Sequence, residues 1–160
     1  MDNIRKTAKW HKRGVTLFEL IVVLAVFSIV AASVTVIPAE KRQLAAAARQ
    51  IQDDIRFCQR VAMSENRRAR IIFKETENAY ILEKWENNNF ERINRADLSH
   101  YIESLYTNAS GKNIEFTPRG TTGGACTITL KTRHYAVDLT VNVGSGRVKI
   151  FEIIKMPGGD

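Results

Sequence analysis

The chain has 160 residues, 44% hydrophobic and 26% charged, with a formal net charge of +7; this fits one small globular domain plus an appendage and needs no second domain. Residues 1–14 hold five of the lysines and arginines (Arg5, Lys6, Lys9, Lys12 and Arg13) against Asp2, so +4 of the charge sits there and the remainder carries only +3. Overall basicity therefore does not by itself argue for nucleic acid or an anionic surface as partner.

After this basic leader, Leu20 to Ile37 runs for eighteen residues without a charge, about 27 Å as a helix, which is long enough to span a bilayer. The cations before it place residues 1–14 in the cytoplasm and residues 39–160 on the outer side. The run passes straight into Pro38, Ala39, Glu40, Lys41 and Arg42, without the small-residue cleavage site of an ordinary secretory signal. Glu19 opens the apolar segment. A carboxylate at membrane depth costs about 2.5–3.5 kcal/mol on insertion scales and is usually kept for a partner; close to the interface it could instead snorkel to water.

Gly14-Val15-Thr16-Leu17-Phe18-Glu19-Leu20, following a short basic leader, resembles the class III signal of type IV pilins and pseudopilins. The resemblance implies that a membrane prepilin peptidase cuts between Gly14 and Val15 on the cytoplasmic side and that Val15 is N-methylated. It also implies that Glu19 of an incoming subunit pairs with the Val15 amine of its neighbour inside a helical filament. The implied partners are other pilin or pseudopilin subunits, the prepilin peptidase, an inner-membrane assembly platform and the membrane itself.

Beyond Pro38 the apolar residues Leu44, Ala48, Ile51, Ile55, Cys58 and Ala62 recur at spacings of 4, 3, 4, 3 and 4, with Arg49, Gln52, Asp53, Arg56 and Arg60 between them. That is one apolar face of a helix. It is too short for a sustained coiled coil, so the stripe is expected to pack on a sheet. Together the two segments predict one helix of about 50 residues from Thr16 to Asn66, roughly 75 Å long and kinked at Pro38. After Asn66, Arg67, Arg68 and Arg70 the pattern turns strand-like. Ile71–Phe73 and Tyr80–Leu82 read as a hairpin, Asn87–Asn89 as a turn, and Ile114–Phe116, Cys126–Lys131, Tyr135–Val143 and Val148–Ile154 as further strands. Residues 90–110 are ambiguous. The predicted class is α+β: a long N-terminal helix, half membrane-spanning and half amphipathic, packed on a C-terminal antiparallel β-sheet domain. Three segments follow: a cleaved leader (1–14), a transmembrane and assembly helix (15–38) and a pilin-like globular domain (39–160).

"FTPRG" at Phe116–Gly120 and "GSGRV" at Gly144–Val148 look like the C-terminal signature of the minor pseudopilin H and FimT-type pilin group. Both glycine clusters also read simply as turns supplying positive φ. Some FimT-type pilins bind DNA through a C-terminal glycine and arginine motif. Gly146, Arg147, Val148 and Lys149 resemble it, with a lysine that keeps the charge but lacks the bidentate fork. Arg147 and Lys149 are thus candidate DNA contacts, to which Arg67, Arg68 and Arg70 could add phosphate contacts, unless that cluster serves a helix C-terminus. Cys58 and Cys126 allow one disulfide in an oxidising compartment, or two buried thiols. His11, His100 and His134 stand apart from any triad or metal-ligand spacing, so no enzyme activity and no cofactor is expected. The reading is a minor pilin or pseudopilin precursor: a single-pass protein of the inner or cytoplasmic membrane that enters an extracytoplasmic filament of a type II secretion or type IV pilus system. The alternative is a DNA-binding minor pilin of a competence pilus.

Overall fold

The computed structural model describes residues 16–32 and 38–157. The chain falls into two units, residues 1–36 and 37–160. In the first unit α1 runs from Leu17 to Ala32. Thr16 caps it, its hydroxyl accepting the Glu19 backbone N–H at 3.3 Å, which satisfies one of the orphan donors at a helix start. Residues 16–29 are all exposed, and Glu19 is the only charged residue of the helix. Among the described residues no helix is long and apolar enough to cross a membrane. α1 has 16 residues, while the uncharged run of the sequence continues to Ile37.

The second unit opens with Pro38 at φ −50° and ψ 139°, the N-cap of α2 (Ala39–Ser64); the Arg42 N–H donates to the Pro38 carbonyl at 3.2 Å. This corrects the expected kinked helix at both ends of its second half. Pro38 stands outside α2 because its ring fixes φ and offers no N–H, both tolerable at a helix start. The helix stops at Ser64, and Asn66 takes φ 50°. The junction at 33–37 lies outside the described residues.

Among the described residues nine strands follow: β1 (Ala69–Lys74), β2 (Ala79–Glu86), β3 (Asn89–Asp97), β4 (Ser104–Thr107), β5 (Asn113–Phe116), β6 (Cys126–Lys131), β7 (Tyr135–Val141), β8 (Val148–Ile150) and β9 (Ile154–Lys155). They form two antiparallel sheets, ordered β3-β2-β1-β5 and β4-β6-β7-β8, with β9 also on β7. Ile71 opposite Leu82 in the first sheet and Ile128 opposite Leu139 in the second turn their alternate side chains to the helix. α2 meets them with Leu44, Ala47, Ala48, Ile51, Ile55, Cys58 and Ala62, all buried. Tyr80 adds a polar tether, its phenol donating to Asp54 Oδ2 at 2.6 Å. Burial first, and the Asp54 carboxylate second, push the Tyr80 hydroxyl far above the usual tyrosine range.

Asn78 (φ 47°) ties the sheets together. Its side chain donates to the Glu103 carbonyl at 3.1 Å and accepts the Leu105 N–H at 2.9 Å, so the β1–β2 turn holds the start of β4. Every residue of the hydrophobic core lies between Leu44 and Val148. The second unit thus buries its own core, as a unit able to fold on its own does.

Candidate functional site

Glu19 sits in the first turn of α1, and its carboxylate makes no hydrogen bond or ion pair among the described residues. A negative charge there suits the positive end of the helix dipole. Thr16 and Glu19 have the spacing of a capping box, and the Thr16 hydroxyl performs its half. Sequence reasoning overlooked Thr16, although the Thr-x-x-Glu spacing was there to find it. Gly14 and Val15 lie outside the described residues.

The two glycine motifs, far apart in sequence, meet at one side chain of α2. Gln59 Nε2 donates to the Gly120 carbonyl at 2.7 Å and to the Ser145 carbonyl at 3.0 Å. Gln52, two turns earlier, donates to the Val148 carbonyl at 3.0 Å. Both contact glycines need left-handed backbone and close approach: Gly120 has φ 73° and would place a Cβ 2.6 Å from Met63 Sδ, and Gly146 has φ 61° and would place one 2.6 Å from Phe116 Cε1. The motifs therefore act here as a dock that fastens two loops onto α2. Arg119 and Arg147 flank the dock and Arg60 follows Gln59; all three are exposed and, among the described residues, without an ion pair. Lys149 is exposed beside them, with its ammonium 4.8 Å from the Phe151 ring.

The other arginine cluster is neutralised. Arg67 pairs with Glu86 at 3.3 Å, Arg68 with Glu115 at 3.3 Å, and Arg70 with Glu83 at 2.7 Å. Arg68 also stacks 4.5 Å from Trp85, and Arg70 lies 3.6 Å from the Phe90 ring. At the end of α2 only the Arg67 backbone takes part, its N–H donating to the Ala62 carbonyl at 3.1 Å, while the three guanidiniums turn to carboxylates. With each guanidinium committed to a carboxylate, the cluster is a poor phosphate site.

Cys58 and Cys126 are both buried and free; the disulfide allowed by the sequence is not formed, and each thiol fills a core position. Burial pushes Cys58 up to about 12 and Cys126 up to about 11, which leaves both unreactive near neutral pH. His134 Nδ1 lies 3.0 Å from Glu40 Oε2, and this hydrogen bond is the main reason the Glu40 carboxyl sits below the usual carboxylate range. No group of three or more His, Cys, Asp or Glu that could hold a metal is present among the described residues.

Residues 11–35 match the family model described as the prokaryotic N-terminal methylation motif. Two solved structures share the fold. The type IV minor pilin FimU of Pseudomonas aeruginosa (strain PAO1) is similar at a TM-score of 0.59 and 15% identity, over 71% of this chain and 91% of that one. The minor pseudopilin EpsH of the type 2 secretion system of Vibrio cholerae is similar at a TM-score of 0.57 and 8% identity, over 68% and 96%. Over 143 residues, 88% of this chain and 94% of the relative, the sequence is 31% identical to the competence protein ComGD of Bacillus subtilis (strain 168). The chain belongs to the type IV pilin-like family. In this pilin-like chain Gly14, Val15 and Glu19 all fall inside the matched methylation motif. The Gln59 dock lies in the second unit, within the pilin-like α+β fold of a helix on antiparallel sheets.

Proposed function

We propose that this chain is the precursor of a minor pilin or pseudopilin: a leader (1–14) cut after Gly14, Val15 methylated as the new N-terminus, residues 15–38 as membrane and assembly helix, and residues 39–160 as the extracytoplasmic domain. The observation that carries the reading is α1 itself, apolar on every side but for Glu19, its one charge, and Ser28, whose hydroxyl turns back to the Leu24 carbonyl at 2.8 Å. A helix apolar all round must be covered, by lipid before assembly and by neighbouring helices after it. In that covered state Glu19 needs a cation, and cleavage creates one, the Val15 amine of the adjacent subunit. Removing one partner of a desolvated pair costs about 3–5 kcal/mol. Glu19→Val should therefore leave membrane levels and leader removal unchanged while incorporation into filaments, read by crosslinking and shearing, is lost. Normal incorporation of the cleaved variant would remove Glu19 from the mechanism.

A second reading, a DNA-binding pilin of a competence system, is favoured by one observation: the 31% identity to a competence protein. Arg60, Arg119 and Arg147, brought together around Gln59, with Lys149 nearby, would supply the phosphate contacts. Its test is duplex DNA binding by residues 38–160 at several salt concentrations. If Arg147 and Lys149 track phosphates, affinity falls steeply with salt, and changing both to Gln reduces the slope by about two. On the primary reading the parent unit gives no such signal. Micromolar binding at physiological salt, abolished by the double change, would make DNA capture the primary function.

A further inference from the structure

The cations of the second unit are not partnered alike. Near the C-terminal end of α2, Arg67, Arg68 and Arg70 each hold a carboxylate. At the opposite end, three segments converge on the start of α2. Its first turn brings Lys41 and Arg42. The Glu40–His134 contact at 3.0 Å draws in the β6–β7 turn with Arg133. The Met156 N–H, donating to the His134 carbonyl at 2.8 Å, draws in β9, where Lys155 pairs with Tyr135. Arg42, Arg133 and Lys155 are exposed, and none of these four cations has an ion pair among the described residues. Of the carboxylates in the three segments, Glu40 is taken by His134 and only Glu152 stands apart.

This is also the end at which the sequence enters the unit, since the uncharged run Leu20–Ile37 stops one residue before Pro38. We infer that Lys41, Arg42, Arg133 and Lys155 form a docking face for an anionic phospholipid surface, which seats the globular unit on the bilayer before it enters a filament. The cations reach headgroup phosphates. Basic residues grouped where an apolar run of bilayer-spanning length joins the unit fit a lipid surface better than a nucleic acid, because a run held in a membrane brings that end of the unit to the headgroups. The inference rests on the proposed reading that the apolar run lies in a membrane, and it says which lipids meet the domain.

The test uses residues 38–160, which carry their own core, and unilamellar vesicles of either pure phosphatidylcholine or equal parts phosphatidylcholine and phosphatidylglycerol. The unit should co-sediment with the anionic vesicles only, and less as salt rises. Each of Lys41→Gln, Arg42→Gln and Arg133→Gln should weaken the partition about fivefold, whereas Arg119→Gln with Arg147→Gln leaves it unchanged. Equal binding to both vesicle types, no binding to either, or anionic binding untouched by the three substitutions would overturn the inference. So would duplex DNA displacing the unit from vesicles through these same cations, which would reassign the face to nucleic acid. Because the unit lacks Glu19 and the apolar run, failure here leaves the filament-incorporation result standing, and failure there leaves this one standing.

Discussion

Gly146→Ala should destabilise the folded unit by about 3 kcal/mol, far more than the same change at Gly144. Both residues have positive φ, 61° and 74°, so both lose about 1–2 kcal/mol when a Cβ is added to left-handed backbone. They differ in what the methyl meets. At Gly144 there is nothing within 4 Å, whereas at Gly146 the new carbon would stand 2.6 Å from Phe116 Cε1 and 3.1 Å from Gln59 Nε2. Phe116 is fully buried and cannot yield cheaply, which adds about 1–3 kcal/mol of overpacking. Thermal melts of residues 38–160 should show Gly146→Ala lower by roughly 10 °C. Equal melting of the two variants would mean that the dock carries no tension between loop and helix.

The largest effect on processing belongs to Gly14→Val. A peptidase that cuts after glycine beside the membrane needs the smallest side chain at that position, and valine adds a branched one. The expected result is an uncut precursor that still carries residues 1–14, by mass spectrometry, and a globular unit whose melting is unchanged, since its core lies between Leu44 and Val148. Recovery of a chain beginning at Val15 would contradict the proposed cleavage and, with it, the amine that Glu19 is proposed to meet.

The amphipathic half of the long helix was legible because one physical constraint, burial of a single face, writes itself at helical spacing: Leu44, Ala48, Ile51, Ile55, Cys58 and Ala62 are all buried. β6 was legible for the same reason at period two, with Cys126, Ile128 and Leu130 inward. β3 was not, because Asn89–Asp97 is a mostly exposed edge strand. Its charged residues carry no burial pattern, and it is held by backbone pairing to β2. The stretch Val148–Ile154 read as one strand, yet β7 takes it as two short ones, with the Phe151 N–H reaching the Asp138 carbonyl at 2.9 Å between them. Gln59 left no trace at all. Its acceptors are backbone carbonyls 61 and 86 residues away, and a lone glutamine on a helix has no local signature for such partners. The turns were therefore visible from their glycines, but not what they turn toward.

The cluster of Trp85 with the Arg68 guanidinium and the T-shaped Phe90 ring gives the protein an optical property. The chain has two tryptophans, Trp10 and Trp85, and a chain beginning at Val15 keeps only the second. All indole emission from such a chain then originates at the β2–β3 hairpin, beside a guanidinium 4.5 Å from the ring centroid. Leader removal and the local state of that hairpin can thus be followed by intrinsic fluorescence, without any added label.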